Sequence, residues 1–321
     1  MPLPPGSAVD ALLARRVLVV TGKGGVGKTS VSLALGVLAA RRGMRTLVCE
    51  TSGADNVCGR FGLTSGGYAV TQLAPDLYSM SIRPEAAIEE YLLRMLRFRK
   101  LYEMVFRNRV MAPFIDAVPG LHDLVQLGKV FDLERERPAG LVGRRRAWDL
   151  LVIDAPATGH GISMLTAPRG MMRLTRAGPF HDNARDVAAL IEDPARTAIV
   201  LVSLPEELPV SETTELYGRL GNFQAQVACV VLNAVEAGRL PPTYPSLRPA
   251  LAAGANPAGM DALALADALL RRVNAQDHAR ASLARLGPPV LDLPDVDAPV
   301  LGPTQLDRLA DALGGEAEAT R

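Results

Sequence analysis

The chain has 321 residues, 48% of them hydrophobic and only 4% aromatic, which is enough for one sizeable aliphatic core or two modest ones in a soluble globular protein. With 35 basic and 34 acidic residues the formal net charge is +1, which excludes a global field that attracts nucleic acid or an anionic membrane. Cys49, Cys58 and Cys229 are odd in number and form no C-x-x-C pair, so neither a disulfide framework nor zinc is expected.

Short aliphatic runs recur at 16–21 (RVLVVT), 45–50 (RTLVCE), 149–154 (DLLVID), 198–204 (AIVLVSL), 226–232 (QVACVVL) and 289–293 (PVLDL), and each reads as a buried parallel strand. Apolar residues at helical spacing run from Thr29 to Arg42, where Gly43 stands in the C-terminal cap position, and similar patterns fill 209–220, 259–286 and 304–313. Such alternation predicts an α/β protein with a doubly wound, mostly parallel sheet and ligands at the carboxyl ends of its strands. Residues 84–140 break it: Tyr91, Leu92, Met95, Leu96, Leu101, Tyr102, Val105 and Phe106 belong to long helical patterns, read as a helical insertion. A second helical segment is expected at 161–192, an irregular connection at 238–259 and a flexible tail at 314–321. No internal repeat is visible, so 1–321 is expected to form a single domain with one nucleotide site.

The first run leads into Gly22-Lys23-Gly24-Gly25-Val26-Gly27-Lys28-Thr29, which satisfies G-x-x-x-x-G-K-[ST] between a strand and a helix. Glycines let backbone N–H groups converge on phosphate oxygens, and the helix N-terminus adds its positive end. Gly22 to Ser30 are therefore the expected phosphate-binding residues, with Lys28 as the cation and Thr29 as a magnesium ligand. Asp154 ends the run DLLVID, where a carboxylate opposite the loop holds magnesium, usually through water. The expected cofactors are thus Mg2+ and a nucleotide, and ATP is the expected one because the chain has Asn233-Ala234-Val235-Glu236 where a GTPase carries N-K-x-D or T-K-x-D.

Lys23, directly after the first glycine, marks the deviant Walker A form, and Asp154-Ala155-Pro156-Ala157-Thr158-Gly159-His160 closely resembles a signature of the ArsA-type and tail-anchored-protein-targeting ATPases. Further similar segments are Pro119-Gly120-Leu121 before Asp123, Pro205-Glu206 before Glu212-Thr213, and Gln276 ahead of Leu293-Pro294, so the resemblance covers most of the chain, which looks like a single-half, bacterial-type member. It implies a P-loop ATPase switch in which Lys23 reaches the nucleotide of a partner, in a homodimer or a heterodimer with a related ATPase. It also implies that the segment around His160 couples phosphate state to a client region, that Asn233 reads adenine, and that Pro294 belongs to the purine pocket.

One position departs from that pattern. Where the family has a water-positioning aspartate, this chain has Ser52, and Glu50 and Asp55 are the nearby carboxylates that could substitute. Met164, Leu165, Met171, Met172 and Leu174 read either as an apolar surface for a hydrophobic or membrane-protein client or as core. Three outputs compete: client handling, energising of an arsenite-type exporter, and a weakly hydrolysing scaffold in a hetero-oligomer. The N-terminus lacks a secretory leader and no stretch is long and apolar enough to span a bilayer, so a cytoplasmic location is expected.

Overall fold

The computed structural model describes residues 5–53, 56–96, 118, 120–137, 146–296 and 301–315. Its strands are Val17–Gly22 (β1), Thr46–Glu50 (β2), Thr71–Ala74 (β3), Leu77–Ser81 (β4), Leu150–Asp154 (β5), Thr197–Ser203 (β6), Val227–Val235 (β7) and Val290–Pro294 (β8). They form one sheet in the order β3-β4-β2-β5-β1-β6-β7-β8. Only β3 is antiparallel to its neighbour. All six aliphatic runs are strands within a residue or a few of the expected limits. The pair β3 and β4 corrects the sequence reading, which has no strand there. Thr71–Ala74 is only half buried and Leu77–Ser81 alternates apolar with polar residues, so neither shows an aliphatic run.

The helices are Pro5–Leu13 (α1), Lys28–Arg41 (α2), Val57–Arg60 (α3), Pro84–Leu96 (α4), Leu121–Arg135 (α5), Thr158–Leu174 (α6), Pro179–Ile191 (α7), Glu207–Arg219 (α8), Tyr244–Ala253 (α9), Pro257–Ala284 (α10) and Pro303–Gly314 (α11). Because successive strand side chains point to opposite faces, each apolar strand feeds two cores. Leu18, Val20, Val48 and Val200 pack with Leu12, Leu33, Leu35, Leu306 and Leu309 of α1, α2 and α11. Val17, Val19, Leu47 and Ile199 pack on the other face with residues of α4, α5, α6, α7, α8 and α10, among them Ile88, Leu127, Met164, Leu190, Leu216 and Leu283. Of the five residues at issue after His160, Met164, Leu165 and Met171 are core, Met172 packs against it, and Leu174 is exposed.

The stretch 238–259, expected as an irregular connection, instead holds α9. Pro245 in its first turn is compatible with helix entry, and Tyr244 is buried, its hydroxyl donating to Asp267 Oδ1 of α10 at 2.8 Å. Arg248 bonds the same carboxylate at 2.8 Å, so tertiary contacts hold a helix that its prolines hide. Within the expected insertion, α4 and α5 lie against the core, while 97–117, Pro119 and 138–140 fall outside the described residues, as do 316–321 of the expected tail. Among the described residues, no helix is long and apolar enough to cross a membrane.

Candidate nucleotide-phosphate site

β1 ends at Gly22 in the middle of the sheet, flanked by β5 and β6, and the chain turns there into α2. The turn needs its glycines. Gly27 has φ 91°, and a Cβ there would collide with the Asn233 side-chain amide; one at Gly22 would collide with the Val202 carbonyl oxygen. Gly27 is also the N-cap of α2 and offers no side chain to the first N–H groups of the helix, which leaves that helix end to a ligand. Ser30 is buried in the first turn of α2.

Thr29 Oγ1 donates to Asp154 Oδ2 at 2.6 Å, and Ser32 Oγ lies 3.4 Å from Oδ1. Asp154 is only 3% exposed, and burial pushes its carboxyl above the ordinary aspartate value against the opposing effects of the Thr29 hydrogen bond, the Lys28 charge and Ser32. A buried carboxylate beside a hydroxyl is a hard oxygen donor set lacking a full counter-charge, and it fits magnesium. Lys28 Nζ donates to the main-chain oxygen of Lys23 at 2.8 Å, and its pKa is lowered by burial, an effect that Asp154 opposes.

On the other side of the loop, Asn233 Nδ2 donates to Val26 O at 2.9 Å. Since that carbonyl can only accept, the amide nitrogen must face it. The pairing of β7 with β8 slips between Leu232 and Val235, and Ala234 takes φ 57°, an irregularity that aims Asn233 at the loop. Pro294 pairs with Val235 across that slip, and Gln276, fully buried in α10, clamps the following turn through Glu236 N at 2.6 Å and Glu236 O at 3.1 Å. The structure thus brings Gly22 to Ser30, Asp154 and Asn233 together, while Pro294 is placed only by its pairing with Val235, two residues beyond Asn233.

The carboxylates considered as substitutes for the one absent at Ser52 are placed differently. Glu50 is 3% exposed at the end of β2, and its two oxygens accept from Asn56 N at 3.0 Å and Val57 N at 2.8 Å. Ser52 is exposed, and Asp55 lies outside the described residues. The side chain of His160 is also outside them; its backbone lies in the first turn of α6.

Two further participants have no role assigned by the sequence: Gln126, which shows no signal, and Glu212, which stands in a family-like segment without a partner named for it. Gln126, buried in α5, donates to Thr51 O at 3.0 Å and Ile82 O at 2.6 Å and ties the segment after β2 to the second core. Glu212 of α8 forms an ion pair with Lys23, Nζ to Oε1 2.7 Å. Neither partner could be assigned from spacing, because both contacts join distant parts of the chain.

A mostly parallel sheet with a glycine-rich loop between its central strand and a helix, and a carboxylate ending the next strand, defines an α/β P-loop nucleotide-binding protein. Residues 15–178 match the family model described as anion-transporting ATPase, and the chain belongs to this ArsA-type ATPase family. It is 30% identical over 230 residues to ATPase BagA of Mycobacterium tuberculosis, an alignment covering 68% of this chain and 64% of that protein. It is 24% identical over 255 residues to ATPase ASNA1 homolog 2 of Paramecium tetraurelia, covering 68% of this chain and 75% of the relative. A protein of Prosthecochloris vibrioformis that bears the name of an arsenical pump-driving ATPase is 26% identical over 258 residues, covering 68% of this chain and 60% of that protein. The chain therefore spans somewhat less than two thirds of the mycobacterial and Prosthecochloris relatives.

Proposed function

We propose that the chain binds Mg-ATP at Gly22 to Ser30 and hydrolyses it, acting as a dimeric switch of the ArsA type that handles a hydrophobic or membrane-protein client. The observation that carries this reading is the 2.6 Å contact between the Thr29 hydroxyl and the buried Asp154 carboxylate directly behind the phosphate loop. Thr29 and Asp154 would hold magnesium, Lys28 would donate to the phosphates, and Asn233 with Pro294 would face the purine. Magnesium, when bound, neutralises charge on the phosphates. Lys23 is the residue proposed to meet a second subunit, identical or related, and Glu50 and Asp55 are the candidates to orient water.

Family membership supports this reading. Release of inorganic phosphate from Mg-ATP by the purified chain, abolished by EDTA and by Lys28→Ala, is the expected result; absence of Mg-ATP binding refutes it.

One observation favours a second reading, a nucleotide-binding subunit with slow turnover. Both oxygens of Glu50 are engaged by main-chain amides, and the usual aspartate position holds Ser52. Tight Mg-ATP binding without phosphate release would select it. An arsenite-type exporter subunit is less well supported, because Cys49, Cys58 and Cys229 are all buried.

A further inference from the structure

Lys23 is held at both ends. Its main-chain oxygen accepts from Lys28 Nζ at 2.8 Å, and its own ammonium pairs with Glu212 at 2.7 Å, each side chain of the pair being 31% exposed. Glu212 Oε2 is buried and has no hydrogen-bond partner among the described residues, and the neighbouring Thr213 hydroxyl is in the same condition. Glu212 lies in α8, the helix that follows β6, and β6 pairs with β1 up to Gly22 and Val202. The ion pair thus fastens the phosphate loop to the helix that follows the adjacent strand.

This arrangement sets up a competition. A lysine inside a phosphate loop is attracted to any polyphosphate placed there, and a lysine 2.7 Å from a carboxylate is already neutralised. Lys28, whose ammonium carries three donors, can keep its bond to the Lys23 carbonyl while its remaining N–H groups meet phosphate. A nucleoside triphosphate would therefore draw on both lysines, Lys28 in its own loop and Lys23 toward the phosphates shared across the proposed subunit interface, and Glu212 is the group that loses its partner.

We infer that Glu212 is a positioning residue that latches Lys23 against α8 until a nucleoside polyphosphate draws it away, so that α8 reads the state of the phosphate site. This rests on the nucleotide-binding reading above. Breaking the pair subtracts from nucleotide affinity, and the carboxylate freed by it, already half desolvated, needs a new partner. The need to re-solvate or re-pair Glu212 is what loosens or shifts α8.

The test is a titration of Mg-ATP into the wild-type chain, Glu212→Gln, Lys23→Ala and the double variant, with Lys28→Ala as control and the melting temperature of each recorded. A partly exposed ion pair predicts that Glu212→Gln tightens Mg-ATP by about three-fold, an effect absent in the Lys23→Ala background and diminished by high salt. Unchanged or weaker binding in Glu212→Gln, or an equal shift in both backgrounds, overturns the latch. A wild type whose Mg-ATP binding does not depend on Lys28 instead overturns the nucleotide-site reading.

Hydrogen exchange of residues 207–219 in the wild type provides a measurement that needs no variant to fold. Faster exchange with Mg-ATP than without supports the latch, and identical or slower exchange opposes it.

Discussion

Glu50 and Asp154 stand in register at the carboxyl ends of neighbouring parallel strands, yet their carboxylates are committed to different partners. Asp154 turns to Thr29 and Ser32 behind the phosphate loop, whereas Glu50 accepts two main-chain amides at the start of α3. The difference separates a carboxylate available to a cation from one engaged in holding the chain after β2.

Asp154 links function to pH. Its folded pKa is raised, so the folded chain binds this proton more readily than the unfolded chain. The resulting contribution favours folding at pH below the ordinary aspartate value and is lost as pH rises through the raised folded value. At neutral pH the buried charge is therefore a cost that a cation offsets. In EDTA, Asp154→Asn is expected to melt about 2 °C above wild type, and added magnesium should raise the melting temperature of the wild type alone. Magnesium-nucleotide affinity should begin to fall on acidification above the pH range of an ordinary aspartate.

Thr29→Ala removes both the donor to Asp154 Oδ2 and the hydroxyl proposed as a magnesium ligand. Magnesium-dependent nucleotide affinity should drop by about 10- to 100-fold, the usual range for loss of a supporting metal-site contact. Calorimetric titration with and without magnesium measures it, and binding in EDTA should change far less.

Gly27→Ala forces a Cβ into φ 91° and against the Asn233 amide. The conformational cost is about 1–2 kcal/mol, and the displaced loop should lose most of its nucleotide binding while the rest of the sheet still folds. Circular dichroism alongside a fluorescent-nucleotide titration separates the two effects.

Glu50→Gln weakens a carboxylate that accepts two amide hydrogen bonds, and should lower stability by about 1–2 kcal/mol. Urea denaturation measures this loss. A fall in phosphate release beyond the loss of folded protein assigns Glu50 to water, while unchanged turnover per folded molecule leaves it as a structural cap.

Burial pushes the thiols of Cys49 and Cys229 up to about 12, and Cys58 is buried with Sγ 3.4 Å from Ser79 Oγ. At pH 8 none of them should react with a disulfide reagent until the chain unfolds, when all three should. Arsenite and antimonite, which require accessible thiolates, should leave phosphate release unchanged.

Much of this architecture is written locally in the sequence. A fully buried parallel strand requires an unbroken aliphatic run, and a phosphate loop requires glycines and a Lys-Thr pair at set spacing, so β1, β2, β5 to β8 and Gly22 to Thr29 are legible without coordinates. Strand β4 at Leu77–Ser81 was not, because its stability comes from pairing with β2 rather than from its own composition. Helix α9 was hidden by Pro245, which is tolerated in the first turn, and by Pro249, whose cost inside the helix is offset by Tyr244 and Arg248 bonding Asp267.

The pairings at the site lie further from reach. Asn233 on Val26, Gln126 on Thr51 and Glu212 on Lys23 each join residues far apart in the chain. Residue type and spacing specify which groups can bond, but only the order of strands in the sheet decides which ones meet. Lys23 stands out in the sequence as an unusual lysine in a phosphate loop; that its charge is already answered by α8 follows from β6 lying next to β1.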